Sequence, residues 1–109
     1  MKFIVRNLRG ADGNRREYVF YWCSGCECSH SVPADRWNWN KNTESPTLSP
    51  SVRHYYTDPN TKAEITTCHY HLREGIIEYC GDCPHALNGQ KVPLQEIPDD
   101  YGIPDDDQP

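Results

Sequence analysis

The groups in this chain best equipped for chemistry are its six cysteines and five histidines, and they are clustered. Cys23-Ser24-Gly25-Cys26 and Cys80-Gly81-Asp82-Cys83 each hold two thiols across a two-residue spacer. A turn of that length lets both thiolates reach one ion while its backbone N–H groups soften their charge. Two such pairs form the zinc-ribbon pattern. Cys28, His30, Cys68, His69, His71 and His85 all fall near one pair or the other, so the chain offers more ligands than one zinc ion needs.

Soft thiolates favour Zn2+, and one structural ion is the expected cofactor. Cys23, Cys26 and Cys83 are its expected ligands, with a fourth from Cys68 or Cys80 and with His69 and His85 as alternates. Cys28 reads as a bystander. His54 and His71 read as strand-borne imidazoles facing solvent or, for His71, Glu78. A catalytic zinc would keep an open position and need acid–base groups beside it; His30, His69, His85 and Asp82 are the residues able to serve. Neither the helical H-E-x-x-H pattern nor the H-x-E…P-C-x-x-C pattern of zinc deaminases is present, so the reading leans away from an enzyme.

The elements that must position these groups read as strands. Residues leading to Leu72 favour β structure, Glu74-Gly75 is tight-turn chemistry, and Ile76-Ile77-Glu78-Tyr79 runs back. A two-residue loop pairs His69 with Cys80, Tyr70 with Tyr79 and His71 with Glu78, and carries Cys68 to the same end as Cys80 and Cys83. Residues 2–8, 16–22, 52–56 and 64–72 read as further strands, with Asp12-Gly13 turning the first hairpin. Trp37-Asn38-Trp39-Asn40 suggests a short strand. Val92-Pro93-Leu94 suggests an edge segment, because Pro93 has no N–H for a central ladder. Ser45-Pro46-Thr47-Leu48-Ser49-Pro50-Ser51 is extended by its prolines and reads as a rigid surface loop, with a substrate- or partner-facing loop beside the metal as the alternative. No capped segment has a helical apolar period. The expected fold is all-β: a small single-domain antiparallel protein with zinc-ribbon-like knuckles and irregular loops.

With 109 residues, 36% apolar, and a mean hydropathy of −0.88, burial alone gives a thin core of the kind a structural metal supplements. The segment from Met1 to Arg6 is too short in apolar residues for a signal peptide, and no run approaches spanning length. A cytoplasmic chain is expected, where clustered thiols bind metal rather than pair as disulfides. The net charge of −5 is uneven: the last basic residue is Lys91, and six of the sixteen acids follow it. Residues 1–95 are therefore read as a zinc-binding β domain and 96–109 as a flexible acidic tail with a repeated Ile-Pro-Asp-Asp. A near-neutral body with such a tail argues against direct nucleic-acid binding, although Arg6, Arg9, Arg15 and Arg16 flank the first hairpin.

Phe20-Tyr21-Trp22-Cys23-Ser24-Gly25-Cys26 with His30, Trp39-Asn40, the Ser45–Ser51 stretch, Cys68-His69, and Asp82-Cys83-Pro84-His85-Ala86-Leu87-Asn88-Gly89-Gln90-Lys91-Val92 carry a family resemblance. The chain resembles small proteins found mostly in tailed-phage and prophage genomes. The name "ammonia monooxygenase" that travels with them implies a membrane-bound copper enzyme, which a polar chain without a spanning segment excludes. In that family the recurring thiols match Cys23, Cys26, Cys68 and Cys83, and the position of Cys80 is not usually cysteine; the resemblance thus implies Cys68 as fourth ligand. Ser24 in place of a proline, the extra Cys28 and Cys80, and the acidic tail depart from it. The expectation is a phage accessory or host-interaction protein with a structural zinc, acting on a protein partner of phage or host; the alternative is a small zinc hydrolase using His30, His69, His85 and Asp82.

Overall fold

The computed structural model describes residues 2–98 and 101–104. Eight strands and no helix appear among them: β1 (Ile4–Arg9), β2 (Arg15–Cys23), β3 (Cys28–Pro33), β4 (Asn38–Trp39), β5 (Leu48–Thr57), β6 (Glu64–Arg73), β7 (Ile76–Tyr79) and β8 (Lys91–Pro93). They form two antiparallel sheets, β1-β2-β3 and β4-β5-β6-β7-β8. The all-β expectation holds. No helix among the described residues is long and apolar enough to cross a membrane.

Turn chemistry sets the registers. Gly13 takes a positive φ of 81° and Asp12 Oδ1 accepts the Asn14 N–H at 3.0 Å, which closes the β1–β2 hairpin. Glu74 and Gly75 take φ of 48° and 77°, the left-handed pair that a two-residue hairpin loop requires. Tyr70 therefore faces Tyr79, His71 faces Glu78, and Arg73 faces Ile76, as the sequence predicts. The Cys80 N–H donates to the His69 carbonyl at 2.9 Å, carrying the ladder one step further. β8 lies at the sheet edge, where Pro93 does no harm.

Two features were not legible. β3 has the composition Cys-Ser-His-Ser-Val-Pro, poor in strand formers. It is imposed by the Cys23–Cys26 knuckle, which folds the chain back so that Cys28 faces Cys23 and His30 faces Tyr21. The second is a bulge in β5. Leu48 pairs with Leu72 and Val52 with Tyr70, so Ser49, Pro50 and Ser51 stand where the partner strand has only His71.

Alternation builds the core. Val19, Tyr21 and Cys23 from β2 meet Cys68, Tyr70 and Leu72 from β6 in one buried cluster with Phe3, Val32, Val52, Ile77, Tyr79, Cys83 and Leu94. His69 and His71, between those β6 positions, are only partly covered. After β8, Ile97 is buried and Tyr101 packs edge-on against Trp22 at 5.0 Å, its hydroxyl accepting the Ser29 N–H. Arg6 Nε donates to the Pro104 carbonyl at 3.0 Å. Asp99, Asp100, Asp105, Asp106 and Asp107 of the expected tail lie outside the described residues.

Left-handed backbone costs a non-glycine residue roughly 1–2 kcal/mol, and asparagine least. Glu74→Asn is expected to raise stability by up to about 1 kcal/mol, read as a higher urea midpoint with an unchanged slope; an unchanged or lower midpoint contradicts the turn assignment.

Candidate functional site

The hairpin end, the knuckle and the Gly81-Asp82 turn bring four thiols together beneath the surface. Cys68 is central: its Sγ lies 3.9 Å from Cys23 Sγ and 3.7 Å from Cys83 Sγ. Cys23, Cys26, His30 and Cys68 present ligand atoms all within 4.8 Å of one another, and Cys68, Cys83 and His85 form an overlapping group. All six cysteines are free thiols. Backbone N–H groups point at the sulfurs as knuckle geometry demands: Cys26 N–H donates to Cys23 Sγ at 3.3 Å and His69 N–H to Cys83 Sγ at 3.4 Å.

Electrostatically the cluster accepts one negative charge and resists the next. The bond from the Cys68 thiol holds Cys23 as the thiolate, well below the usual range. That same bond and burial push Cys68 up, and burial followed by the Cys23 charge pushes Cys26 up to about 12. Several thiolates can share this space only beside a cation, so the donor set fits a soft divalent metal. In a tetrahedral zinc site with Zn–S near 2.3 Å, sulfurs stand about 3.8 Å apart, and the Cys23–Cys68 and Cys68–Cys83 separations agree with that edge.

Side chains around the sulfurs are themselves held. His85 Nδ1 accepts the Leu87 N–H at 3.2 Å, which leaves the ring proton on Nε2, 3.1 Å from Cys83 Sγ and 3.5 Å from Cys68 Sγ. His85 is thereby placed to donate to two sulfurs. The Tyr79 hydroxyl accepts the Gly25 N–H at 3.2 Å and sits 3.3 Å from Cys23 Sγ. Gly25 has no side chain for a reason: a Cβ there would fall 2.2 Å from His85 Cε1. His30 stacks on His54 at 4.0 Å, and His54 Nε2 meets the Tyr70 hydroxyl, which bonds to Tyr21. Burial, then the neighbouring His30, lowers His54 to about 4, so the His54 imidazole is neutral near pH 7.

The outward face of the same strands holds a different set. His69 Nδ1 lies 2.9 Å from Asp82 Oδ1 and 3.2 Å from Oδ2, with Cys80 beside them. His69 is the one histidine in contact with a carboxylate among the described residues. His71 meets Arg73, whose guanidinium is engaged by Glu78 at 2.7 Å. Across β5, Arg53 faces His69 and Val52 faces Tyr70. Ser51, half-buried within the bulge, lines an outward cavity together with His71 and Arg73. The bulge opens a cavity of about 590 Å³ lined by Thr47, Ser49, Pro50, Ser51, His71 and Arg73 among others, within the range of ligand pockets.

Of the residues singled out by sequence, Cys23, Cys26 and Cys68 come together with His30, while Cys83 and His85 join Cys68 in the adjoining group. Cys80 does not join that cluster; it faces outward with His69 and Asp82. Ser51 was missed as a chemical group. Its signal was a serine following a proline inside a segment that is otherwise strand.

Gly25→Ala is expected to displace the His85 ring and destabilise the fold by about 1–3 kcal/mol, as overpacking does, with faster thiol modification of Cys68 and Cys83. An unchanged melting temperature contradicts the close packing of that ring.

No curated protein and no solved structure matches the chain. Residues 4–80 match the family model described as bacterial ubiquitination-like system serine protease (BubE), a stretch that takes in Ser51, Cys68 and His69 and stops short of Asp82 and Cys83. The chain belongs to the BubE family.

Proposed function

We propose that this chain is a small serine peptidase of a ubiquitination-like system, with Ser51 as nucleophile, His69 as general base and Asp82 holding the imidazole. The single observation that carries the reading is the His69–Asp82 contact at 2.9 Å on the face that Ser51 shares. The family's description supplies the reaction class. A serine hydroxyl attacks a carbonyl only when a base takes its proton, and the base works only when its ring is held and its charge is met. Asp82 does both by accepting the Nδ1–H, which leaves the Nε2 lone pair for the nucleophile.

The steps balance without further groups. Ser51 Oγ bonds to the carbonyl carbon as its proton passes to His69 Nε2. The bond to the leaving amine breaks, that proton goes to the amine, and an acyl-serine remains. Water then repeats the sequence, its proton taken by Nε2 and returned to Ser51 as the acid leaves. The cavity beside Ser51, with the Arg73 cation and the Thr47 hydroxyl in its wall, is the place for the substrate segment. The substrate is taken to be a polypeptide of that ubiquitination-like system, with an extended segment of it laid in this cavity.

The thiolate cluster serves the fold. Cys23, Cys26, Cys68 and Cys83 would hold one zinc ion, with His85 and Tyr79 bonded to the sulfurs; the Cys23–Cys68 and Cys68–Cys83 separations support it, and His30, grouped with Cys23, Cys26 and Cys68, is the alternative to Cys83. When bound, the ion supplies charge neutralisation and folding energy.

The test is hydrolysis of a ubiquitin-like protein carrying a C-terminal amide-linked fluorophore, paired with fluorophosphonate labelling and peptide mapping. Label is expected on Ser51. Ser51→Ala is expected to abolish turnover, and His69→Asn and Asp82→Asn to lower kcat by roughly 10³–10⁴-fold, while His71→Asn and Ser49→Ala stay within tenfold of the parent. Label on another serine, or full turnover by Ser51→Ala, overturns the assignment and favours a non-catalytic role binding a protein partner.

Metal removal gives a separate check. A strong chelator is expected to withdraw one zinc together with the folded circular dichroism signal, and cobalt-loaded Cys83→Ser should lose the charge-transfer intensity of one thiolate. Unchanged intensity in that variant, with loss in His30→Gln instead, would place the imidazole in the coordination sphere.

A further inference from the structure

Cys80 belongs neither to the buried cluster nor to the proposed hydrolytic set, yet it is not isolated. Its sulfur, a ring nitrogen of His69 and a carboxylate oxygen of Asp82 all lie within 4.8 Å of one another. Thiolate, imidazole and carboxylate are the three protein donors zinc accepts. In a tetrahedral zinc site the N···O edge is about 3.3 Å and the S edges about 3.5 Å. His69 Nδ1 stands 2.9 and 3.2 Å from the two Asp82 oxygens, so two of the three donors are already at that spacing. Two backbone features fix the trio: the Cys80 N–H bond to the His69 carbonyl at 2.9 Å, and the Cys83 N–H bond to the Cys80 carbonyl at 3.1 Å. The group is distinct from the thiolate cluster because alternate residues face opposite ways: Cys68 and Cys83 are buried, whereas the His69 and Asp82 side chains are 26% and 58% exposed.

We propose that His69, Cys80 and Asp82 form a second, solvent-reached zinc site whose filling switches the peptidase off. Three protein donors leave one position for water, so the ion enters and leaves without unfolding the chain. On binding, Cys80 gives its thiol proton to solvent. Ligation through Nδ1 puts the remaining ring proton of His69 on Nε2, so the lone pair needed by Ser51 is gone. Asp82, drawn to the ion, no longer accepts from the ring. The metal site stands on its own geometry, whereas its inhibitory consequence rests on the Ser51–His69–Asp82 reading.

The experiment starts from protein with its thiolate cluster loaded and excess metal removed, titrated with zinc against a chelating indicator dye. The parent is expected to take one further equivalent, and Cys80→Ser and His69→Asn to take none. Ser51→Ala, which removes no donor, should take the equivalent as the parent does, whether or not it still hydrolyses substrate. Zinc is expected to inhibit the parent and to leave Cys80→Ser, with its basal turnover intact, uninhibited. A parent that binds no further equivalent, or a Cys80→Ser protein that binds it equally well, overturns the site. Binding without inhibition, in a parent whose turnover is lost in Ser51→Ala, overturns the switch alone. Turnover that survives in Ser51→Ala overturns the hydrolytic assignment while the binding stoichiometry still judges the site.

Discussion

Crowded thiols buried in a small protein are an electrostatic problem before they are a structural solution. Cys23, Cys68 and Cys83 are covered almost completely, and the charge on Cys23 opposes ionisation of its neighbours. Polar atoms aimed at the sulfurs reduce that cost: the Cys26 and His69 backbone N–H groups, the His85 ring and the Tyr79 hydroxyl. Each of these donors comes from a different part of the chain, so satisfying the sulfurs fixes the knuckle, the hairpin end and the Gly81-Asp82 turn against one another. The rest of the molecule is arranged around that convergence.

The second constraint is the two-sidedness of a strand. Cys68 and His69 are adjacent, and the pleat sends them to opposite faces. A hairpin loop one residue longer would exchange the faces and put imidazoles into the core and thiols into solvent. The Glu74-Gly75 turn, at the far end of the ladder, thus decides which chemistry is buried and which meets solvent. The β5 bulge does the complementary work on the neighbouring strand, accommodating three residues opposite one and hollowing the surface beside Ser51.

Legibility in the sequence followed how local the governing physics is. The β6–β7 register could be derived from Glu74-Gly75 and the strand formers around it, since a two-residue turn leaves one pairing. The edge position of Val92-Pro93 followed from a missing N–H. The thiols that gather could be named in part from the spacing of Cys23 to Cys26 and of Cys80 to Cys83, but that spacing favoured Cys80 and the family resemblance Cys68; the inward and outward alternation along β6 and β7 is the physical reason they separate. β3 was hidden because its residues have little strand preference and are held by a turn. His69 and Asp82 were visible as reactive groups, read in terms of a metal. Ser51 was passed over because a serine's reactivity lies in its neighbours, and the His69 and Asp82 of the proposed set are distant from it in sequence.

One hydrogen bond ties the two faces together. The backbone N–H of His69 donates to Cys83 Sγ, while the side chain of the same residue meets Asp82, the residue before that cysteine. Imidazole and carboxylate are therefore aligned by the same two backbone segments that close the sulfur cluster. A copy that has not assembled its interior has no aligned pair on its exterior, so a half-made molecule is a harmless one. For the peptidase proposed above, surrounded during its own synthesis by unfinished chains, that ordering would make competence a product of completed folding.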